Sequence, residues 1–93
     1  MRYRLIFTDS YKKRAKRFAR QHPEIKEQYR KTLLLLAHNP YHPSLRLHPL
    51  KGKLGALQSV SIKLSYRITL EMIITEKEII LVNVGNHDEV YQA

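Results

Sequence analysis

The sequence predicts an α+β domain in which a helical hairpin packs on a small, mainly antiparallel four-stranded sheet, in the order β-α-α-β-β-β. Residues 66–74 place an apolar side chain at every second position, with Arg67, Thr69 and Glu71 between the first four, as a strand with one buried face does. Residues 11–36 instead place apolar side chains at helical spacing, in two segments separated by Pro23. A chain of 93 residues has room for one modest core, so we expect a single domain over residues 1–93.

The N-terminal half is predicted to hold one short strand and two helices. Residues 3–8 are a strand candidate, and Asp9 or Ser10 can cap the next helix because a short side-chain oxygen accepts a hydrogen bond from an unpaired N–H group. The buried stripe of this helix is predicted to be Tyr11, Ala15, Phe18 and Ala19. A second helix is expected to begin near Pro23 and end at residues 39–40. Its stripe is predicted to be Ile25, Tyr29, Leu33 and Leu36, widened by Leu34 and Leu35.

The C-terminal half is predicted to supply three strands. Residues 40–56 are punctuated by proline and glycine and are expected to form a loop. A half-buried strand follows from residue 57, with alternating apolar residues Val60, Ile62 and Leu64. Residues 66–74 and 79–82 are expected to form a hairpin at the middle of the sheet, turning at 75–78. Residues 79–82 have no polar member, which predicts a strand covered on both faces. The first strand is expected to lie beside one of these three.

Composition limits the classes of function. The chain has no cysteine, which excludes disulfides and thiolate metal sites and suits a reducing compartment. The sequence has no long apolar stretch of the kind that forms a signal peptide or a membrane span. We therefore expect a cytoplasmic protein without a membrane partner. Residues 1–53 hold fourteen Lys or Arg against three acids, whereas residues 54–93 hold three against five. This asymmetry favours a polyanionic partner, either nucleic acid or an acidic protein.

No metal or cofactor is predicted. His38 and His42 have the i, i+4 spacing of a helical zinc pair, but Pro40 lies between them and interrupts a helix. The sequence contains no glycine-rich phosphate loop, serine nucleophile motif or paired-carboxylate motif.

Three segments resemble the RelE/ParE superfamily of bacterial toxins, and within it the RelE/YafQ/YoeB-like mRNA interferases. They are LHPLKGKL at 47–54, SIKLSYRI at 61–68 and VGNHDEVY at 84–91, and the order of elements is similar along nearly the whole chain. The resemblance implies the toxin of a type II toxin–antitoxin system. It further implies a ribosome-dependent, metal-independent endoribonuclease whose partners are mRNA on the ribosome and an acidic cognate antitoxin.

The resemblance also assigns roles to individual residues. Cleavage by attack of a ribose 2′-OH on the adjacent phosphate needs a base, an acid and cations that hold the phosphorane charge. By resemblance, His48 would be the general base, His87 the general acid and Arg67 the ligand of the scissile phosphate. Tyr91 would stack on a base or orient the phosphate. Further phosphate contacts would come from Lys51, Lys53 and Lys63.

The chain departs from this family pattern, and other interpretations stay open. Serines stand where relatives carry additional catalytic side chains, at Ser61 and Ser65. His48 is alternatively a loop histidine bonded to the backbone, Arg67 a partner of Glu71, and Tyr91 a residue that packs the C-terminus. At the level of function, the alternatives are a ParE-type gyrase inhibitor and a non-catalytic RNA- or ribosome-binding module.

Strand pairing would bring two of these residues together. Arg67 lies on the polar face of its strand, opposite the apolar set, and His87 follows Gly85, where the chain can turn. A hairpin that turns at 75–78 pairs residue 67 near residue 86. We therefore expect Arg67 and His87 at the same end of the sheet.

Overall fold

The computed structural model describes residues 2–51 and 56–86, and its elements follow the predicted order with one additional strand. The helices are α1 (Asp9–Gln21) and α2 (Lys26–His38). The strands are β1 (Arg4–Phe7), β2 (His48–Pro49), β3 (Gln58–Lys63), β4 (Tyr66–Ile73) and β5 (Glu78–Asn86). The predicted α+β class is confirmed, because two helices pack on one mixed sheet.

The sheet has five strands rather than the four predicted, in the order β1-β5-β4-β3-β2. β1 lies parallel to β5, as one outer strand beside the predicted central hairpin, and the other neighbours are antiparallel. The additional strand is β2, where His48 pairs with Ser59 and Pro49 with Gln58. The loop prediction for residues 40–56 was wrong at this point because two residues are too few to show an alternating pattern.

One face of the sheet builds the core against the helices. Val60, Ile68 and Val84 stand opposite one another on β3, β4 and β5, and all are buried. The helices contribute Tyr11, Phe18 and Leu36 to the same cluster, and Ile25 joins it from the 3-10 turn that precedes α2. Burying one such side chain stabilises the fold by roughly 1.5–3 kcal/mol. The predicted helical stripes therefore provide the cover for this face, except that Leu34 is 60% exposed, so its predicted place in the stripe was wrong.

The start of α1 differs from the prediction by one residue. Thr8 caps the helix, and its Oγ1 accepts a hydrogen bond from the Tyr11 backbone N–H at 3.2 Å. Asp9 and Ser10 were the predicted caps, but they lie inside the first turn. Thr8 supplies the same chemistry, a short side chain with an oxygen acceptor, from the extended backbone that a cap requires.

Two apolar residues at the ends of the alternating runs are exposed. Leu64 is 80% exposed and has a φ of 52°, because it lies in the turn between β3 and β4. Ile74 is 63% exposed and begins the 3-10 turn that joins β4 to β5. The alternation predicted burial for both, and this was wrong because each run continues one residue past its strand.

The centre of β5 has one buried face, not two. Ile79 and Leu81 are fully buried, whereas Ile80 and Val82 are half-buried. The helices cover only one side of the sheet, so an uninterrupted apolar run does not here mark a strand enclosed on both sides. Within residues 2–51 and 56–86, no helix is both long and apolar enough to cross a membrane.

Candidate active site

Two rows of residues, most of them polar, lie on the face of the sheet turned away from the helices. Residues that pair directly across neighbouring strands share a face, with Cβ atoms about 4.5–5.5 Å apart in antiparallel pairs. One row across β2, β3, β4 and β5 consists of His48, Ser59, Thr69 and Asn83. The next row consists of Ser61, Arg67 and Gly85. The register thus brings His48 and Arg67, the predicted base and phosphate ligand, to one face.

Arg67 has buried donor groups without acceptors. Its Nε and Nη1 atoms are inaccessible to solvent and have no hydrogen-bond partner among the described residues. No carboxylate in that part of the chain pairs with Arg67, so the alternative pairing with Glu71 is not formed. Gly85, directly opposite on β5, contributes no side chain to this row. Because buried guanidinium donors are costly to leave unpaired, Arg67 is suited to receive an anion.

His48 is half-buried and is oriented by the backbone. Its Nδ1 lies 3.0 Å from the carbonyl oxygen of Arg46. A carbonyl only accepts hydrogen bonds, so Nδ1 carries the proton of the neutral ring and Nε2 is the basic nitrogen. This backbone bond is the one that the loop-histidine alternative expects, and it also fixes the tautomer that a general base needs. β3 lies between β2 and β4, so two strand spacings, about 10 Å, separate the backbones of His48 and Arg67.

The remaining predicted site residues are placed only in part. Lys51 and Lys63 are exposed, and Lys63 ends β3 opposite Tyr66, next to Arg67 along the partner strand. Lys53, His87 and Tyr91 lie outside the described residues, and their roles stay predictions.

The register between β4 and β5 differs by one residue from the prediction. Arg67 pairs with Gly85, and Tyr66 with Asn86. The difference arises because β4 ends at Ile73, before a 3-10 turn, and because the pairing shifts by a bulge between Thr69 and Leu70. The expectation that Arg67 approaches His87 stays untested.

An aromatic cluster anchors the strand that carries Arg67. The Tyr66 hydroxyl lies 3.2 Å from Nδ1 of His22, and the two rings are 4.8 Å apart. Phe18 packs against both rings, with centroid distances of 5.0 and 5.6 Å. His22 follows the last residue of α1 as its C-cap. Its contact with Tyr66 was not predicted, because it joins residues 44 positions apart.

The basic residues of the N-terminal half concentrate on α1. Lys13, Arg14, Arg17 and Arg20 line a shallow depression together with Ser10. Arg14 also donates from Nη1 to the carbonyl oxygen of Val82 at 2.9 Å, which ties the helix to β5. The helices cover the opposite face of the sheet from Arg67, so these cations form a second charged surface. In the ranges 2–51 and 56–86, no group of three or more His, Asp or Glu residues is arranged to hold a metal.

Comparison with solved structures identifies the fold. No protein-family model matches the sequence, and no curated protein matches it. YafQ from Escherichia coli superposes with a TM-score of 0.78 and 13% identity, over 96% of this chain and 98% of that one. The chain has the fold of the YafQ and YoeB toxins. A YoeB/ParE toxin from Agrobacterium tumefaciens gives a TM-score of 0.70 and 17% identity, over 90% of this chain and 98% of that one. A structure of the Escherichia coli DinJ–YafQ toxin–antitoxin complex gives a TM-score of 0.76 and 15% identity, over 98% of this chain and 99% of that one.

Proposed function

We propose that the chain is the toxin of a type II toxin–antitoxin pair and cleaves mRNA on the ribosome. The observation that carries the proposal concerns Arg67, whose buried Nε and Nη1 donors find no acceptor among the described residues, on a polar sheet face that also holds His48. A guanidinium is always charged and offers a fork of donors, which suits a phosphate group. The YafQ-like fold supports the same assignment by analogy.

The proposed reaction needs only groups of the chain and of the RNA. Nε2 of His48 accepts the proton of the ribose 2′-OH, and the 2′ oxygen bonds to the adjacent phosphorus. Arg67 holds the non-bridging oxygens while their negative charge increases, and Lys51, Lys53 and Lys63 add positive charge. The bond from phosphorus to the 5′ oxygen breaks, and His87 protonates that oxygen. The products are a 2′,3′-cyclic phosphate and a 5′-hydroxyl, and Tyr91 stacks on a base beside the cut.

Two other functions compete with this proposal. A gyrase inhibitor of ParE type has no need for an imidazole on the same sheet face as an arginine whose Nε and Nη1 find no acceptor among the described residues, so this combination favours the nuclease. A non-catalytic RNA-binding module needs the cations but not His48 or His87.

Primer extension on mRNA from cells that express the chain separates the three functions. We expect cuts phased with the ribosome, and their loss in His48→Gln. Intact mRNA with defects in DNA supercoiling would favour the gyrase inhibitor, and intact mRNA with the protein bound to ribosomes would favour the binding module. Cleavage is expected to continue in the presence of a chelator selective for transition metals, because every proposed catalytic group is a side chain or an RNA hydroxyl and none is a metal ion.

The proposed protein partner is an acidic cognate antitoxin that binds in the cytoplasm. The cations of α1 and the net positive charge of residues 1–53 support this assignment by charge complementarity. Calorimetric titration at several salt concentrations tests it: affinity should fall as salt rises, because exposed charges are screened beyond about 8–10 Å at physiological ionic strength. An affinity that stays the same at all salt concentrations would exclude an electrostatically assisted interface.

A further inference from the structure

Two hydroxyl groups in the row next to that of Arg67 are buried and find no hydrogen-bond partner among the residues that the structure describes. Ser59 and Thr69 are 0% and 2% exposed, and they stand directly opposite each other on β3 and β4. Neither Ser59 Oγ nor Thr69 Oγ1 finds a partner in the part of the chain that the structure describes. Together with Nε and Nη1 of Arg67, they place four polar atoms in adjacent rows of one face, and none of the four has a partner within residues 2–51 and 56–86.

The chain pairs buried hydroxyl groups elsewhere. The hydroxyl of Tyr11 lies 2.7 Å from that of Tyr29, and Thr32 Oγ1 donates to the carbonyl oxygen of Gln28 at 2.8 Å. A buried hydroxyl without a partner costs folding free energy, and valine has nearly the shape of threonine without that cost. The hydroxyls of Ser59 and Thr69 therefore call for an explanation other than packing.

We infer that Ser59 and Thr69 are ligands of the phosphate group that Arg67 binds, and that these three residues form one anion site. The inference builds on the proposed function, because it takes the phosphodiester of RNA as the anion. All four atoms can donate hydrogen bonds, and the neighbouring guanidinium excludes a cation.

The arrangement favours a phosphate over a carboxylate. A carboxylate is planar and is satisfied by the guanidinium fork alone, whereas a tetrahedral phosphate also presents acceptor oxygens outside that plane. Thr69 and Arg67 are two residues apart on one strand, about 6.6 Å along its axis, so donors from both rows can surround one tetrahedral group. The hydroxyls supply the contacts that a planar partner would leave unused.

Nuclear magnetic resonance titrations test the inference without any cleavage. The probes are inorganic phosphate and a dinucleotide whose 2′-OH is replaced by hydrogen, so that the nucleophile is absent. We expect shifts at Ser59, Arg67 and Thr69 in the parent chain, and about tenfold weaker binding in Ser59→Ala and in Thr69→Val, the loss expected for one hydrogen bond to a charged group. Thr69→Ser retains the hydroxyl and should bind as the parent does.

The matched control is Thr32→Val, which removes an equally buried hydroxyl from α2. It should leave both titrations unchanged. Parental binding in Thr69→Val would overturn the inference, as would an absence of shifts in the parent or acetate binding as tightly as phosphate. A chain that binds phosphate through these hydroxyls but leaves mRNA intact would overturn the proposed function alone. Normal cleavage together with parental phosphate binding in Thr69→Val would overturn this inference alone.

Discussion

The two faces of the sheet differ in whether their buried polar groups are hydrogen-bonded to described residues. On the helix side, Tyr11 and Tyr29 pair their hydroxyls, and Tyr66 pairs with His22. On the other side, Arg67 and its two hydroxyl neighbours keep donors that no described residue accepts. Each such donor costs roughly 1–3 kcal/mol of folding free energy. We call this side of the sheet the ligand face, after the anion site proposed there, and the helix side the helix face. The helix face supplies the stability that offsets this cost.

The largest effect is expected from removing the charge on the ligand face. Arg67→Ala should slow cleavage by about 10²–10³-fold, because a preorganised donor to the developing charge is lost. The cleavage rate of Arg67→Lys should lie between those of Arg67→Ala and the parent, since lysine keeps the positive charge but not the forked pair of donors. Single-turnover cleavage on programmed ribosomes measures the rates.

Melting followed by circular dichroism controls for folding in these variants. Both should melt no lower than the parent, because the donors that they remove have no partner among the described residues. Arg30→Ala is the matched control, since Arg30 is an exposed arginine on α2 that pairs with Glu27. A folded Arg67→Ala protein that cuts at the parental rate would place the chemistry elsewhere.

The helix face is tested by Tyr11→Phe, which removes the hydroxyl that lies 2.7 Å from Tyr29. The free energy of unfolding should fall by about 1–2 kcal/mol, because Tyr29 loses its partner in a partly buried position. Urea unfolding measures this change, and cleavage by the folded variant should stay parental. Tyr41→Phe is the control, because Tyr41 is 57% exposed and its change should stay within about 0.5 kcal/mol. Equal losses in the two variants would contradict a structural role for the tyrosine pair.

The sequence predicted the helix face better than the ligand face. Alternation in residues 66–72 placed Ile68 and Leu70 in the core and Arg67 opposite them, because a strand's period fixes its faces. The same rule treated Ser59 and Thr69 as solvent-facing polar residues, since it contains no information on what covers that side. Pairing partners such as His48 with Ser59 depend on contacts between distant residues, and a two-residue strand has no period.

A pair of valine substitutions sharpens the comparison, because both remove a buried threonine hydroxyl. Thr32→Val should lower the free energy of unfolding by about 1 kcal/mol, since Thr32 donates to Gln28. Thr69→Val should leave it unchanged or raise it by up to about 1 kcal/mol, since its hydroxyl has no partner among the described residues. Urea unfolding in phosphate-free buffer measures both. Equal losses of unfolding free energy in the two variants would mean that the hydroxyl of Thr69 is hydrogen-bonded in solution. The two faces would then not differ in this respect.

The smallest effect is expected at alkaline pH. Burial raises the pKa of Tyr11 well above its ordinary value of 10.0, and Tyr29 contributes in the same direction. Above about pH 10 the unfolded chain releases this proton and the folded chain keeps it, so the unfolded state binds fewer protons and stability falls as pH rises. The contribution of Tyr11 is complete below pH 10, and the loss should reach about 0.8 kcal/mol at pH 10.5. Urea midpoints from pH 8 to 10.5 should therefore fall less steeply in Tyr11→Phe than in Tyr41→Phe. Parallel slopes would show that Tyr11 ionises as readily in the folded protein as in the unfolded chain, and so that the helix face does not exclude the phenolate.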